Sequence, residues 1–153
     1  MSDKDAKADK KQINEIKAYR RGRKFALQAI YQWQVNGGVY DQLEVQFKTS
    51  NSYQKYVDWG LFETLVKGVM QTKDELDNLF IKLLPADISD VNPIELAVLR
   101  LGCYELKYCP DTPFKVVISE YVDLAHEFGA QLGEKFVNSI LDKVAKELNK
   151  TSK

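Results

Sequence analysis

Residues 92 to 106 read N-P-I-E-L-A-V-L-R-L-G-C-Y-E-L, and this stretch decides the fold. Asn92 is a good N-cap, Pro93 fits the first helical position where no N–H is needed, and Glu95 stands where it can close a capping box on Asn92. Beyond the cap, Ile94, Leu96, Ala97, Val98, Leu99, Leu101, Cys103, Tyr104 and Leu106 leave no continuous polar stripe. A helix of that kind is covered by neighbours on most sides, so the other elements are expected to pack around it. Arg100 inside it reads as a structural guanidinium paired with a carboxylate, Glu120 or Asp123, because an unpaired buried charge is costly. A contact with a partner at an edge is the other reading.

Working outward, Pro113 opens a helix with an apolar stripe of Val117, Ile118, Tyr121, Leu124, Ala125 and Phe128, and Gly129 ends it. A last helix runs from about Leu132 to Leu148. Upstream, Asp41 with Glu44 and Thr72 with Glu75 read as capping boxes for two helices. Between those boxes, the spacing Val57, Leu61, Phe62, Leu65, Val66, Val69, Met70 predicts another. The first helix spans about Gln12 to Trp33 or Val35, closed by Asn36, Gly37 and Gly38. Residues 1 to 11, lysine-rich and without periodicity, read as a mobile basic arm, and 150 to 153 as a polar tail. The expectation is one all-α domain over residues 12 to 149, a compact bundle of about seven helices in two packed sub-bundles.

With 153 residues, 44% hydrophobic and 29% charged, the chain suits one globular core. No apolar run approaches the roughly 20 residues of a membrane span, and the N-terminus is charged, so a cytoplasmic location is expected. Cys103 and Cys109 do not make a disulfide framework, and with the single His126 they give no metal-ligand cluster. No nucleophile, base and orienting group fall together, and no glycine-rich phosphate loop is present, so neither catalysis nor a cofactor is expected. His126 reads as an ordinary surface histidine.

The zero net charge hides an asymmetry. Residues 1 to 24 carry nine bases and four acids, a net of +5, and the rest of the chain a net of −5. Three of the four arginines lie between 20 and 23. On a helical wheel Gly22, Phe25, Ala26, Ala29, Ile30 and Trp33 form the apolar arc, and Arg20, Arg21, Lys24, Gln28 and Tyr31 gather opposite. Together with Arg23, these residues supply phosphate forks, an amide for base edges and a ring for stacking. That combination suits single-stranded RNA.

Four segments in this order resemble the NusB family of transcription antitermination factors: R-R-G-R-K-F-A-L-Q-A-I-Y-Q-W-Q at 20 to 34, the stretch at 92 to 106, T-P-F-K-V-V-I-S-E-Y-V-D-L-A at 112 to 125, and F-G-A-Q-L-G-E-K-F-V-N-S-I-L-D-K at 128 to 143. The resemblance implies an all-helical, non-catalytic RNA-binding protein that pairs with the ribosomal protein NusE. The pair would recognise the boxA element of nascent ribosomal RNA and join the elongating RNA polymerase with other Nus factors. By position, the family's arginine-rich start falls on Arg20, Arg21 and Arg23, its aromatic near RNA on Tyr31, and its K-F-V-N on Lys135 to Asn138. Lys135 and Phe136 would then complete the RNA surface, with core packing the competing role for Phe136, and Glu95 would lie towards the partner protein. Departures from the family pattern fall at Tyr19, Leu132 and Ser139. Two other functions stay open at this level: an adaptor whose basic helix binds an acidic partner, and a module assisting an RNA methyltransferase in trans.

Overall fold

The computed structural model describes residues 3–129 and 133–148, and Leu132 and the tail at 150 to 153 lie outside them. Six α-helices follow one another: α1 Asp3–Asn36, α2 Tyr40–Ser50, α3 Trp59–Phe80, α4 Pro93–Tyr108, α5 Phe114–Glu127 and α6 Gly133–Glu147. Two short 3-10 turns, Ile81–Leu83 and Ile88–Asp90, link α3 to α4. There is no strand among the described residues.

Residues 92 to 106 form the cap and nearly all of α4. Asn92 caps it by accepting from the Ile94 N–H at 2.8 Å, and Pro93 takes the first position. Its residues Ala97, Val98, Leu99, Leu101 and Cys103 are fully buried, because α4 packs against α1, α3, α5 and α6. The first three helices form one sub-bundle and the last three the other. Gly68 on α3 allows close approach there: a Cβ at that position would stand 2.1 Å from Cζ of Tyr104 on α4.

Three boundaries differ from the sequence reading. The Thr72 and Glu75 pair does not start a new helix. Thr72 leaves helical geometry at φ −121°, ψ 22°, while its hydroxyl donates back to the Gly68 carbonyl at 2.7 Å, which kinks α3 without ending it. Counting the two halves of α3 separately accounts for the seventh expected helix. The first helix starts at Asp3, so residues 3 to 11, expected outside the domain as an arm, are the first turns of a 34-residue α1. Asp41, expected as a cap, lies instead inside the first turn of α2, and Glu44 accepts from the Tyr40 hydroxyl at 2.8 Å.

Packing fixes how α1 is rolled. Phe25, Ala26, Leu27, Ala29 and Ile30 are buried, and Phe25 stacks on Trp59 of α3 with ring centroids 5.7 Å apart. Gly22 permits the closest approach, since a Cβ there would meet the Asp58 carbonyl oxygen at 2.8 Å. The opposite face of α1 is therefore held outward along the packed stretch from Gly22 to Ile30.

Candidate nucleic-acid interface

That outward face carries the arginines, and the structure sorts them sharply. Arg20 is the most open, with 63% of its side chain exposed, and its Nε donates to Glu120 of α5 at 3.2 Å. Arg21 donates from Nη1 to the Lys55 carbonyl in the loop before α3. Lys24 reaches Glu127 at 2.7 Å and stands 6.0 Å from the Phe128 ring centroid. These side chains line a groove of about 290 Å³ whose other wall is Glu120, Asp123 and Glu127 on α5. A phosphate entering it competes with carboxylates for the same guanidinium and ammonium groups.

Arg23 touches the same groove only at its floor, because its side chain turns into the core where an outward one was expected. It is 5% exposed, and its Nε and Nη2 donate to Glu105 of α4 at 2.8 and 3.1 Å. The Tyr121 hydroxyl on α5 donates to the same carboxylate at 2.7 Å. Burial alone disfavours the guanidinium charge, but the hydrogen bonds and charge of Glu105 outweigh it and hold the pKa above its ordinary value. Burial pushes the Tyr121 phenol up, and the charge of Glu105 adds to the shift. Held by Glu105 through Nε and Nη2, Arg23 joins α1 to the core.

Beyond the arginines, Gln28 and Tyr31 open onto a cleft of about 520 Å³ between α1 and α2, which Phe47 also lines. Across part of it, the side-chain amides of Gln32 and Gln46 exchange hydrogen bonds at 2.8 Å in both directions. The exposed Tyr31 ring and the Gln28 amide thus sit beside an open volume able to receive a base.

Lys135 is exposed at the start of α6, while Phe136 is half-buried and packs against the core. Their link to α1 runs through the end of α5, where His126 Nδ1 contacts Glu134, the neighbour of Lys135, and Glu127 holds Lys24. Glu95, expected to face a partner protein, has no exposed surface. Arg100 is structural as expected, but its partner is Asp77 of α3, at 2.8 and 2.9 Å, with Gln34 accepting from Nη1 at 2.9 Å; neither Glu120 nor Asp123 is used.

Among the described residues no helix is long and apolar enough to cross a membrane, and no cluster of three or more His, Cys, Asp or Glu could hold a metal ion. Fold and surface define the class: an all-helical protein whose first helix presents an arginine-rich face beside an acidic one. Comparison with known proteins gives the family. The NusB family model matches residues 20–146. A transcription antitermination protein NusB of Legionella pneumophila (strain Corby) is 43% identical over 133 residues, covering 87% of this chain and 90% of the relative. That of Teredinibacter turnerae is 47% identical over 131 residues, covering 84% and 87%. A crystal structure of antitermination factors NusB and NusE in complex with dsRNA superimposes with a TM-score of 0.74 at 26% identity, covering 84% of this chain and 97% of that one. NusB of T. maritima gives 0.71 at 28%, covering 84% and 91%. The chain belongs to the NusB family.

Proposed function

We propose that this protein is a non-catalytic, RNA-binding transcription antitermination factor that pairs with NusE, binds the boxA element of nascent ribosomal RNA and joins the elongating RNA polymerase with other Nus factors. Family membership supports the antitermination role, and a structural neighbour that carries both NusE and RNA supports the two partners. The observation that carries the RNA reading is the outward row of Arg20, Arg21, Lys24, Gln28 and Tyr31 on one rigid helix, anchored from behind by the buried Arg23 and Glu105 pair. Phosphates bind the cationic groups while Tyr31 and Gln28 meet a base, and Lys135 adds a charge from α6. Because Glu120 and Glu127 already hold Arg20 and Lys24, the isolated protein binds weakly, and a second protein that contributes RNA contacts raises affinity.

The test is the salt dependence of RNA binding in Arg20→Ala/Arg21→Ala/Lys24→Ala. Each lost phosphate contact should flatten the slope of log affinity against log salt by about 0.7 for a single strand, so the triple variant flattens it by roughly 2. An unchanged slope would remove this face from the mechanism.

A further inference from the structure

The basic face does not stop where the family match begins. Arg21, Lys24, Gln28 and Tyr31 are spaced by three, four and three residues, which keeps them on one side of α1. The same alternation continues upstream through Lys17, Asn14, Lys10 and Lys7, within the same uninterrupted helix. From Lys7 to Arg21 this adds about 21 Å of track at 1.5 Å per residue, the length of about six stacked nucleotides at ~3.4 Å each. The added turns lie outside residues 20–146, which the family model matches.

A second element meets this track. The loop before α3 places Tyr56 beside this track, where it lines an open, shallow groove of about 470 Å³ together with Lys7, Lys10, Lys11, Asn14 and Glu15. Tyr56 holds a positive φ of 55°, a left-handed conformation a bulky residue rarely adopts, and it remains 49% exposed. Tyr53 in the same loop is 73% exposed. Arg21 is tied to the carbonyl of Lys55, so the loop is fastened to the point where the track leaves the face already described. Unlike Arg20 and Lys24, the lysines at 7, 10, 11 and 17 have no carboxylate partner among the described residues.

We propose that the first turns of α1 and the Tyr53 to Tyr56 loop form a second RNA subsite, which takes the single strand flanking the element bound at Arg20 to Tyr31. The lysines hold the phosphates, and the Tyr56 ring offers a stacking surface for one base. This inference rests on the RNA-binding reading above and extends its footprint.

The experiment compares a short boxA-type RNA, a scrambled RNA of equal length, and the boxA RNA lengthened by about eight unstructured nucleotides at its 5′ or its 3′ end. Wild-type protein should bind one of the lengthened RNAs about tenfold more tightly than the short one, with a salt slope steeper by about 2. Lys7→Gln/Lys10→Gln/Lys11→Gln keeps the helix-forming tendency of these exposed positions. It should bind the short RNA within about twofold of wild type and lose the tenfold gain. Tyr56→Ser should reduce the gain about threefold while leaving the salt slope in place, as expected for lost stacking. Equal binding of short and lengthened RNA by the wild type, or a full gain in the triple lysine variant, would overturn the subsite while the preference for boxA over scrambled RNA stood. Loss of that preference in the wild type would overturn the RNA-binding reading and the subsite with it.

Discussion

Arg23 and Glu105, 82 residues apart in the chain, meet in the core with two hydrogen bonds of 2.8 and 3.1 Å, and this pair locks the first helix α1 to the central helix α4. Both side chains are almost wholly buried, and Tyr121 of α5 completes the carboxylate's shell. The pair sets the roll of α1, and with it which residues point outward.

Removing one member of a buried pair leaves the other charge without compensation. Arg23→Ala should therefore destabilise the protein by about 3–5 kcal/mol. Arg20→Ala, two-thirds exposed and paired only at the surface, should change stability by less than about 1 kcal/mol. Denaturant unfolding of the two variants checks this contrast. Equal stability losses would contradict the division between a structural arginine and a ligand-facing one.

On the proposed RNA-binding reading, the acidic wall of α5 competes with phosphate for Arg20 and Lys24. Neutralising it in Glu120→Gln/Glu127→Gln frees Arg20 and Lys24 and removes two negative charges from the groove. RNA binding at low salt should tighten about two- to fivefold, in keeping with the small free energies of exposed pairs, and the gain should fade as salt rises. Fluorescence titration reads it directly. Weaker binding would mean that the carboxylates themselves contribute to recognition.

Tyr121 carries a pH signature. Its pKa in the folded protein is raised well above the ordinary value of 10.0, first by burial and then by the charge of Glu105. Unfolded chains lose this proton near pH 10 while the folded chain keeps it, so above pH 10 the folded state binds more protons and stability falls with rising pH. Tyr121→Phe should start from lower stability, because a hydrogen bond to Glu105 is lost, yet decline less steeply between pH 10 and 11. Urea midpoints across that range give the two slopes; parallel slopes would show that Tyr121 titrates normally.

Most of the architecture was legible in the sequence because it rests on local signals. Asn92 and Pro93 mark the start of α4 whatever packs on it, and the apolar arc of Phe25, Ala26, Ala29 and Ile30 fixes which side of α1 is core. Long-range pairings were not legible. Arg100 announces a buried partner, but nothing near it in the chain points to Asp77. Arg23 does carry a signal in the sequence: on a helical wheel it falls between Ile30 and Leu27, at the edge of the apolar arc, where an arginine needs a buried acid. Glu95 was expected towards a partner protein only by its position in the family pattern, and the packing around α4 leaves it no exposed surface. Thr72 has the composition of a cap, and only the continuing backbone of α3 shows its hydroxyl bonding back to Gly68 instead. Residues 3 to 11 lack apolar periodicity, yet propagation from a well-packed helix extends α1 through them.

The central claim is that the face from Arg20 to Tyr31 reads a specific RNA together with a protein partner. The most direct measurement is binding to a boxA-type RNA and to a scrambled RNA of equal length, with and without NusE, across a salt series. The account predicts tighter binding to boxA and a further gain when NusE is present. Equal binding to both RNAs, unimproved by NusE, would contradict it and leave a basic helical adaptor for acidic partners.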